Sequence, residues 1–400
     1  MKKLIAIAVV FALIAGAAFA QTAISGNITV RAMLLEDTLN EAEKTAVSRG
    51  EVETAYVQLS GQNDEGTFGG LIRIRANESS GANGAANSQV PGVHRAFTWW
   101  RPIPQLEIFF GKDDDGKFAP YNAWTHFQGA EGYMHDHNWR DWRRAMAFTN
   151  FETFGLALTL KAVEGLEVNL VIPTGMIGNA DWKQLAHSNR LLTSTYGGGL
   201  QLTVSYAIPD IGKVFFGLKG PAFADQNSSQ GNETTDIFAD GYKGDYGIIG
   251  LAFQLTAVQG LELMLGGSTI LPGEGQDAPV YLAMMANYTG GEWGVKTRWR
   301  ASLNGTDGYS QYAYAKDRTT IAFDIQPWYN LGVLTAYLNI GFITTTVGSG
   351  EPVSQLIINP YIRMGFGGGS LRFGLLYKDT NLDLDNNATI AVPLIFGYSF

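Results

Sequence analysis

The chain has no cysteine, which removes disulfide staples, thiol nucleophiles and thiolate metal sites together. Small secreted folds often need such staples, but a chain of 400 residues does not. Charge is also scarce, since Asp, Glu, Lys and Arg make up only 16% of the residues against about a quarter in ordinary soluble domains. Base is scarcer than acid, 28 residues against 37 for a formal charge of −9, which argues against nucleic acid as a partner. Histidine occurs five times: His94 in a strand region, His126, His135 and His137 in one loop, and His187 in another. No GxSxG context accompanies them, so no hydrolase nucleophile with its base can be assembled from the sequence. The pair His135 and His137 lacks the i, i+4 helical spacing of a zincin and a defined fourth ligand, so no metal site is assigned. No P-loop, dinucleotide fingerprint or calcium loop appears, and no cofactor is implied.

Long apolar runs are missing too, apart from the first residues. Lys2 and Lys3 precede an apolar run from Leu4 to Ala15, and Ala18, Phe19 and Ala20 offer a small-x-small cleavage site before Gln21. That order is the one of a cleaved secretory signal peptide, residues 1–20, leaving 21–400 as a single mature domain. Loss of the two lysines takes the formal charge from −9 to −11. Residue 21 is Gln, so a lipid-anchored mature end is not expected. Two later stretches carry no charge, Tyr246 to Leu261 and Ile325 to Gly350. In the second, Leu334, Ala336, Leu338, Ile340 and Phe342 alternate with other residues, which is the period of a strand and not of a membrane helix.

Glycine (49 residues) and aromatics (12%) are plentiful, and their placement gives the fold. Ile24, Ile28, Val30 and Leu34 alternate with Ser25, Asn27, Thr29 and Arg31 over Ala23 to Leu34, which predicts a first strand. A second runs from about Glu51 to Ser60, and beyond the turn at Gly61 to Gly66 the residues Phe68, Gly70, Ile72 and Ile74 oppose Arg73 and Arg75. Further turns rich in Gly, Pro, Asn and Asp are predicted at 101–105, 162–165, 209–213, 257–260, 289–292, 328–332 and 367–370. Between them lie long polar connections, at 77–92, 113–143, 174–195 and 221–246. The segments 154–173 and 249–268 align without gaps and read as two hairpins, whether by duplication or by a shared lipid-facing alphabet. About eighteen strands result, with sixteen as the alternative, since residues 144–154 fit either one long strand or a strand plus loop.

The chain ends TIAVPLIFGYSF. Val392, Leu394, Phe396, Tyr398 and Phe400 fall on one face of an extended strand, with small residues mostly on the other. This ending resembles the closing strand of Gram-negative outer-membrane β-barrels, whose last residue is typically Phe and which the barrel-assembly machinery reads. The glycine often found five residues from the end is Ile395 here, with Gly397 nearby. Alternating short and long connections are the layout of that class, with short periplasmic turns and long external loops. The resemblance implies an all-β, antiparallel up-and-down transmembrane barrel, a porin passing small hydrophilic solutes. Outer-membrane lipid, periplasmic chaperones and the assembly machinery are its expected partners, and porins of this layout are often homotrimers. A sugar- or organic-acid-selective channel is the alternative, and so is a surface adhesin or structural barrel.

The stretch 113–143 opens with Asp113, Asp114 and Asp115 and closes with Arg140, Arg143 and Arg144; in porins a loop of this sort after the fifth strand folds inward, with acids opposing a basic wall, so the resemblance implies a constriction here. The alternation places Arg73, Arg75, Lys296, Arg298, Arg300, Arg363, Arg372 and Lys378 on the pore wall against Glu107, Glu167, Glu262 and Asp324. Basic rings favour anions, so a weak anion preference is expected despite the acidic total. External charges stand farther from the lumen than the Debye length of about 8 Å.

Overall fold

The computed structural model describes residues 21–38, 49–76, 92–113, 153–173, 201–222, 246–271, 278, 280–303, 318–382 and 385–400. Every regular element among them is a strand. β1 (Gln21–Thr38) opens the sheet, and short turns then join successive pairs. These are β2 (Arg49–Gln62) with β3 (Phe68–Ala76), β4 (Gly92–Ile103) with β5 (Leu106–Asp113), and β6 (Thr153–Leu160) with β7 (Leu166–Pro173). Next come β8 (Gln201–Ile208) with β9 (Gly212–Ala222), β10 (Tyr246–Leu255) with β11 (Leu261–Leu271), and β12 (Val280–Gly290) with β13 (Trp293–Leu303). The last are β14 (Arg318–Asn330) with β15 (Leu334–Val347), and β16 (Val353–Phe366) with β17 (Gly369–Gly374), followed by β18 (Leu376–Leu382) and β19 (Asp385–Ser399). All neighbours are antiparallel, and β1 pairs with both β2 and β19, so the sheet closes on itself without an edge.

β17 and β18 are one stave with a gap at Leu375. Both pair with β16 and with β19 in an unbroken register: Gly374 faces Tyr361 and Tyr377 faces Ile358, while Phe373 faces Leu394 and Leu376 faces Ala391. That register sets Leu375 opposite Pro360 and Gly374 opposite Pro393. Proline has no N–H to give a ladder, and the Leu375 N–H still donates to the Pro360 carbonyl at 2.9 Å. The nineteen segments therefore make an eighteen-strand barrel. The strands run past the predicted limits at both ends of β1 and β2. Trp328 to Asn330 belong to β14 rather than to the turn, which is confined to 331–333.

Side chains alternate across the wall as period two requires. Outward lie Ile24, Val57, Ile74, Leu160, Leu251, Leu282, Trp299, Ile321 and Phe373, all well exposed, with Leu251 at 59% and Trp299 at 53%. A water-soluble monomer rarely carries a continuous apolar belt; a barrel whose backbone groups are all paired presents one to lipid. Tyr288 and Trp293 pack at 5.2 Å near the β12–β13 turn, Phe366 and Phe396 at 5.8 Å, and Tyr398 and Phe400 at 6.3 Å, forming an aromatic girdle at the turn end. Trp99 and Trp328, though near strand ends, point inward, where their rings lie over Gly69 and Gly294 on the adjoining strands.

The hairpins at 154–173 and 249–268 share one turn. Leu166 N–H donates to Val163 O at 3.0 Å and Leu261 N–H to Val258 O at 3.0 Å. Gly165 and Gly260 take φ of 77° and 76°, the left-handed third position of a type II turn, where a Cβ is strained. The barrel seam is as regular. Gly26 N–H donates to Phe400 O at 2.8 Å and Phe400 N–H to Gly26 O at 3.1 Å, and the Phe400 ring covers Gly26, where a Cβ would fall 2.3 Å from the ring.

Candidate functional site

The inner wall carries the functional candidates. On β13 the inward face is Lys296, Arg298 and Arg300, and on β14 it is Ala322, Asp324 and Gln326. Register sets Arg298 opposite Asp324, and their side chains join at 2.9 Å with exposures of 8% and 3%. Two charges so enclosed are sustained by each other, because a lone buried ion would cost several kcal/mol. Arg300 is also buried.

One rung nearer the turns, six inward residues stand opposite one another across six strands. Glu262 faces Asn287, Asn287 faces Lys296, Lys296 faces Gln326, and Asn339 faces Asn359. Side chains close the remaining links: Gln326 donates to Asn339 and, at 3.1 Å, to the Tyr361 hydroxyl. Gln254 Nε2 and Asn287 Nδ2 donate to the Glu262 carboxylate at 2.9 and 3.3 Å. Below this rung Tyr337 and Tyr361 stack at 4.7 Å with planes 4° apart. The carboxylate Glu262 is thus satisfied by amides, while Glu107 pairs with Arg101 at 2.8 Å and Glu167 with Lys161 at 3.1 Å.

The inner face is not uniformly polar. Phe109, Ala157 and Val171 form a buried cluster on β5, β6 and β7, against which Phe97 and Trp99 pack. Phe97 and Phe109 meet at 4.5 Å. Ile357, Leu376 and Ala391 form a second cluster near the seam. By contrast, the inward side chains Asn27, Thr29, Tyr56, Gln58, Arg73, Arg75, Arg95, Arg363, Arg372 and Lys378 are half-buried. They run from β16 across the seam to β4. Among the described side chains of that sector no carboxylate points inward. Arg73 is held in place: its Nε and Nη2 donate to Gln58 Oε1 at 2.9 and 2.6 Å, and its guanidinium lies 4.3 Å from the Tyr56 ring centre. Arg95, directly opposite Arg73, lies over Phe97.

In the structure Arg73, Arg75, Lys296, Arg298, Arg300, Arg363, Arg372 and Lys378 take the inward face of their strands, with Glu107, Glu167, Glu262 and Asp324. On β13–β14 Arg298, Arg300 and Asp324 are enclosed and Arg298 pairs with Asp324, whereas the basic set at the seam is more open. Asp113 is the last residue of β5, with its side chain outside the described residues. Asp114, Asp115, Arg140, Arg143 and Arg144 also lie outside them. Val392, Leu394, Phe396, Tyr398 and Phe400 face outward on or just beyond β19. Sequence reasoning passed over Arg95 and Arg101. Both lie on the face of β4 that also bears Phe97 and Trp99, so apolar residues hid the alternation.

Comparison with known proteins supports the fold. No protein-family model and no curated protein matches the chain in sequence. Among solved structures it resembles Pseudomonas aeruginosa OpdL, with TM-score 0.56 and 11% identity over 95% of this chain and 99% of that one. It also resembles OmpF of Salmonella typhi in complex with daunomycin, with TM-score 0.51 and 12% identity over 95% and 97%. A third likeness is the trimer form of OmpT, an outer-membrane protein of Vibrio cholerae, with TM-score 0.51 and 10% identity over 95% and 99%. The architecture shared with them is the closed antiparallel β-barrel.

Proposed function

We propose that this chain is a diffusion porin of a diderm bacterial outer membrane, passing small hydrophilic solutes with a weak preference for anions. The carrying observation is the pairing of an apolar outer belt with an inner wall whose open sector is basic. A barrel of eighteen strands is wide enough for an aqueous lumen, and charge on its wall selects by sign at short range. Elsewhere on the wall three carboxylates, Glu107, Glu167 and Asp324, each pair with a base, which leaves the seam sector the more basic part of the described wall. The reading assigns transport without bond chemistry, hence no catalytic residue and no cofactor. Export by residues 1–20, an inward loop at 113–143 and lipid as the surrounding partner belong to the same reading.

Purified barrel reconstituted in liposomes should swell them in isosmotic small sugars, and planar bilayers in a salt gradient should give a reversal potential of anion-selective sign. Absence of swelling from folded protein defeats the channel; a clear cation preference defeats the charge assignment.

A further inference from the structure

Five tryptophans lie among the described residues, and four have an evident place. Trp99 and Trp328 point inward over Gly69 and Gly294, while Trp100 and Trp293 face outward near the turn ends of β4 and β13. Trp299 also faces outward, 53% exposed, but stands six residues along β13 from Trp293. That is about 20 Å of strand and, at a tilt of about 40°, about 15 Å along the barrel axis, near the middle of an apolar belt about 25 Å tall. Its indole N–H has no acceptor among the described residues. Hydrocarbon offers none either, and a donor left bare there is costly.

An acceptor and a hollow stand beside it. Thr297, the preceding outward residue of β13, donates its hydroxyl proton to Ala286 O at 3.3 Å, which leaves the oxygen its lone pairs for an incoming donor. Ala301 follows Trp299 on the same face. Leu282 faces Ala301 on one side and Gly267 on the other. Where side chains are this short a hollow of about 550 Å³ opens, lined by Leu251, Leu265, Leu282, Trp299 and Ala301. A space of about 150 Å³ already holds a benzene ring, so an indole fits. A donor without an acceptor, an acceptor for it and a ring-sized hollow thus share one patch, which is self-complementary when a two-fold axis turns it onto itself. Lipid chains fill the hollow but supply no acceptor. Five tilted strands, β10 to β14, at about 4.8 Å spacing take up about 31 Å of circumference, and over the height of the belt that gives roughly 800 Å², the area one partner of a specific interface buries.

We infer that the outer face of β10 to β14 seats a second copy of this chain about a two-fold axis, each Trp299 ring entering the other's hollow and its N–H donating to the partner's Thr297. The contact uses the lipid-facing wall alone and is independent of what the lumen passes. A ring of three copies uses two different faces of each barrel, whereas here ring and hollow lie on one.

The chain has no cysteine, so a single introduced thiol reports alone. Ala301→Cys, Leu282→Cys and, on the far side of the barrel, Ile74→Cys are each refolded as whole barrels in phospholipid vesicles. Each is checked for the folded band on unheated gels and oxidised with copper phenanthroline across a series of lipid dilutions. Ala301→Cys or Leu282→Cys should give a linked pair, and Ile74→Cys none. In the background that links, Trp299→Leu should abolish the pair. Trp299→Phe, which keeps a ring without the donor, should weaken pairing about threefold to tenfold, the share of one hydrogen bond. Thr297→Val removes the acceptor at nearly the same shape and should match it. Absence of linkage from both patch thiols overturns the contact, and so does equal linkage at Ile74→Cys. Linkage that Trp299→Leu leaves unchanged, or that both Trp299→Phe and Thr297→Val leave unchanged, overturns it as well.

Discussion

Deleting Phe400 tests whether the last residue serves closure of the barrel or passage through it. Its backbone makes both hydrogen bonds with Gly26, at 2.8 and 3.1 Å, and these end the β1–β19 ladder. Each such bond contributes about 0.5–1.5 kcal/mol net, so the pair contributes about 2 kcal/mol. The ring is 54% exposed and covers Gly26. In water, half the burial of a Phe side chain would add about 1 kcal/mol, but an outward ring near the girdle exchanges protein for lipid, so this share shrinks. The expected loss is therefore about 2–3 kcal/mol, a factor of roughly 30–150 in the folding equilibrium. The assay is the folded band on unheated gels across a urea series in lipid vesicles, with the midpoint falling accordingly and the yield of inserted protein in cells falling with it. Channels that do insert should keep the wild-type conductance and reversal potential, because Phe400 points away from the lumen. A changed selectivity with an unchanged urea midpoint would refute the reasoning.

Three further outcomes follow from the wall. Asp324→Asn removes the counter-charge 2.9 Å from an enclosed Arg298 and should lower stability by about 3–5 kcal/mol; urea titration checks it. Arg298→Met added to Asp324→Asn should recover part of that loss, since no cation then stays stranded. Gly374→Ala would put a Cβ 2.5 Å from both the Pro360 carbonyl and Tyr361 Cβ, whereas Gly397→Ala meets only ordinary contacts; refolding yield should collapse for the first and hold for the second. Arg73→Gln with Arg75→Gln removes two cations from the open sector, so the bilayer reversal potential should move toward cation preference while swelling in neutral sugars persists.

The barrel was legible because an outward face admits only one chemistry. Ile24, Ile28, Val30 and Leu34 must meet lipid, and the same demand at every strand fixes register and turn positions through period two. Even the two hairpins at 154–173 and 249–268 show their common turn in the glycine each places third. The interior obeys no such rule. Phe109, Ala157 and Val171 face inward beside Glu107 and Asn169, so an apolar residue on β5 or β7 says nothing of which side it takes. Aromatics mislead for the same reason: Trp99 and Trp328 look like girdle residues in sequence, and only the bare backbone of Gly69 and Gly294 on the next strand shows why they turn in. Pairing across strands is equally silent in one chain. Nothing in the spacing of Arg298 and Asp324 says that one satisfies the other.

This difference bears on where selectivity can reside. A charge matched across the ladder, as at Arg298 and Asp324 or Arg101 and Glu107, contributes mainly to wall stability and little to the field in the lumen, since opposite charges a few ångströms apart cancel beyond their own separation. On the described wall, like charges face each other in register where β16 meets β17, at Arg363 and Arg372, on the strands that close last if the ends of the chain join after the rest has paired. Those strands already supply the outward aromatic residues of closure, so their inward face is left to carry Arg363 and Arg372 without a carboxylate opposite. One segment of the barrel thereby does two separable jobs on its two faces, and a substitution on either face should leave the other job intact.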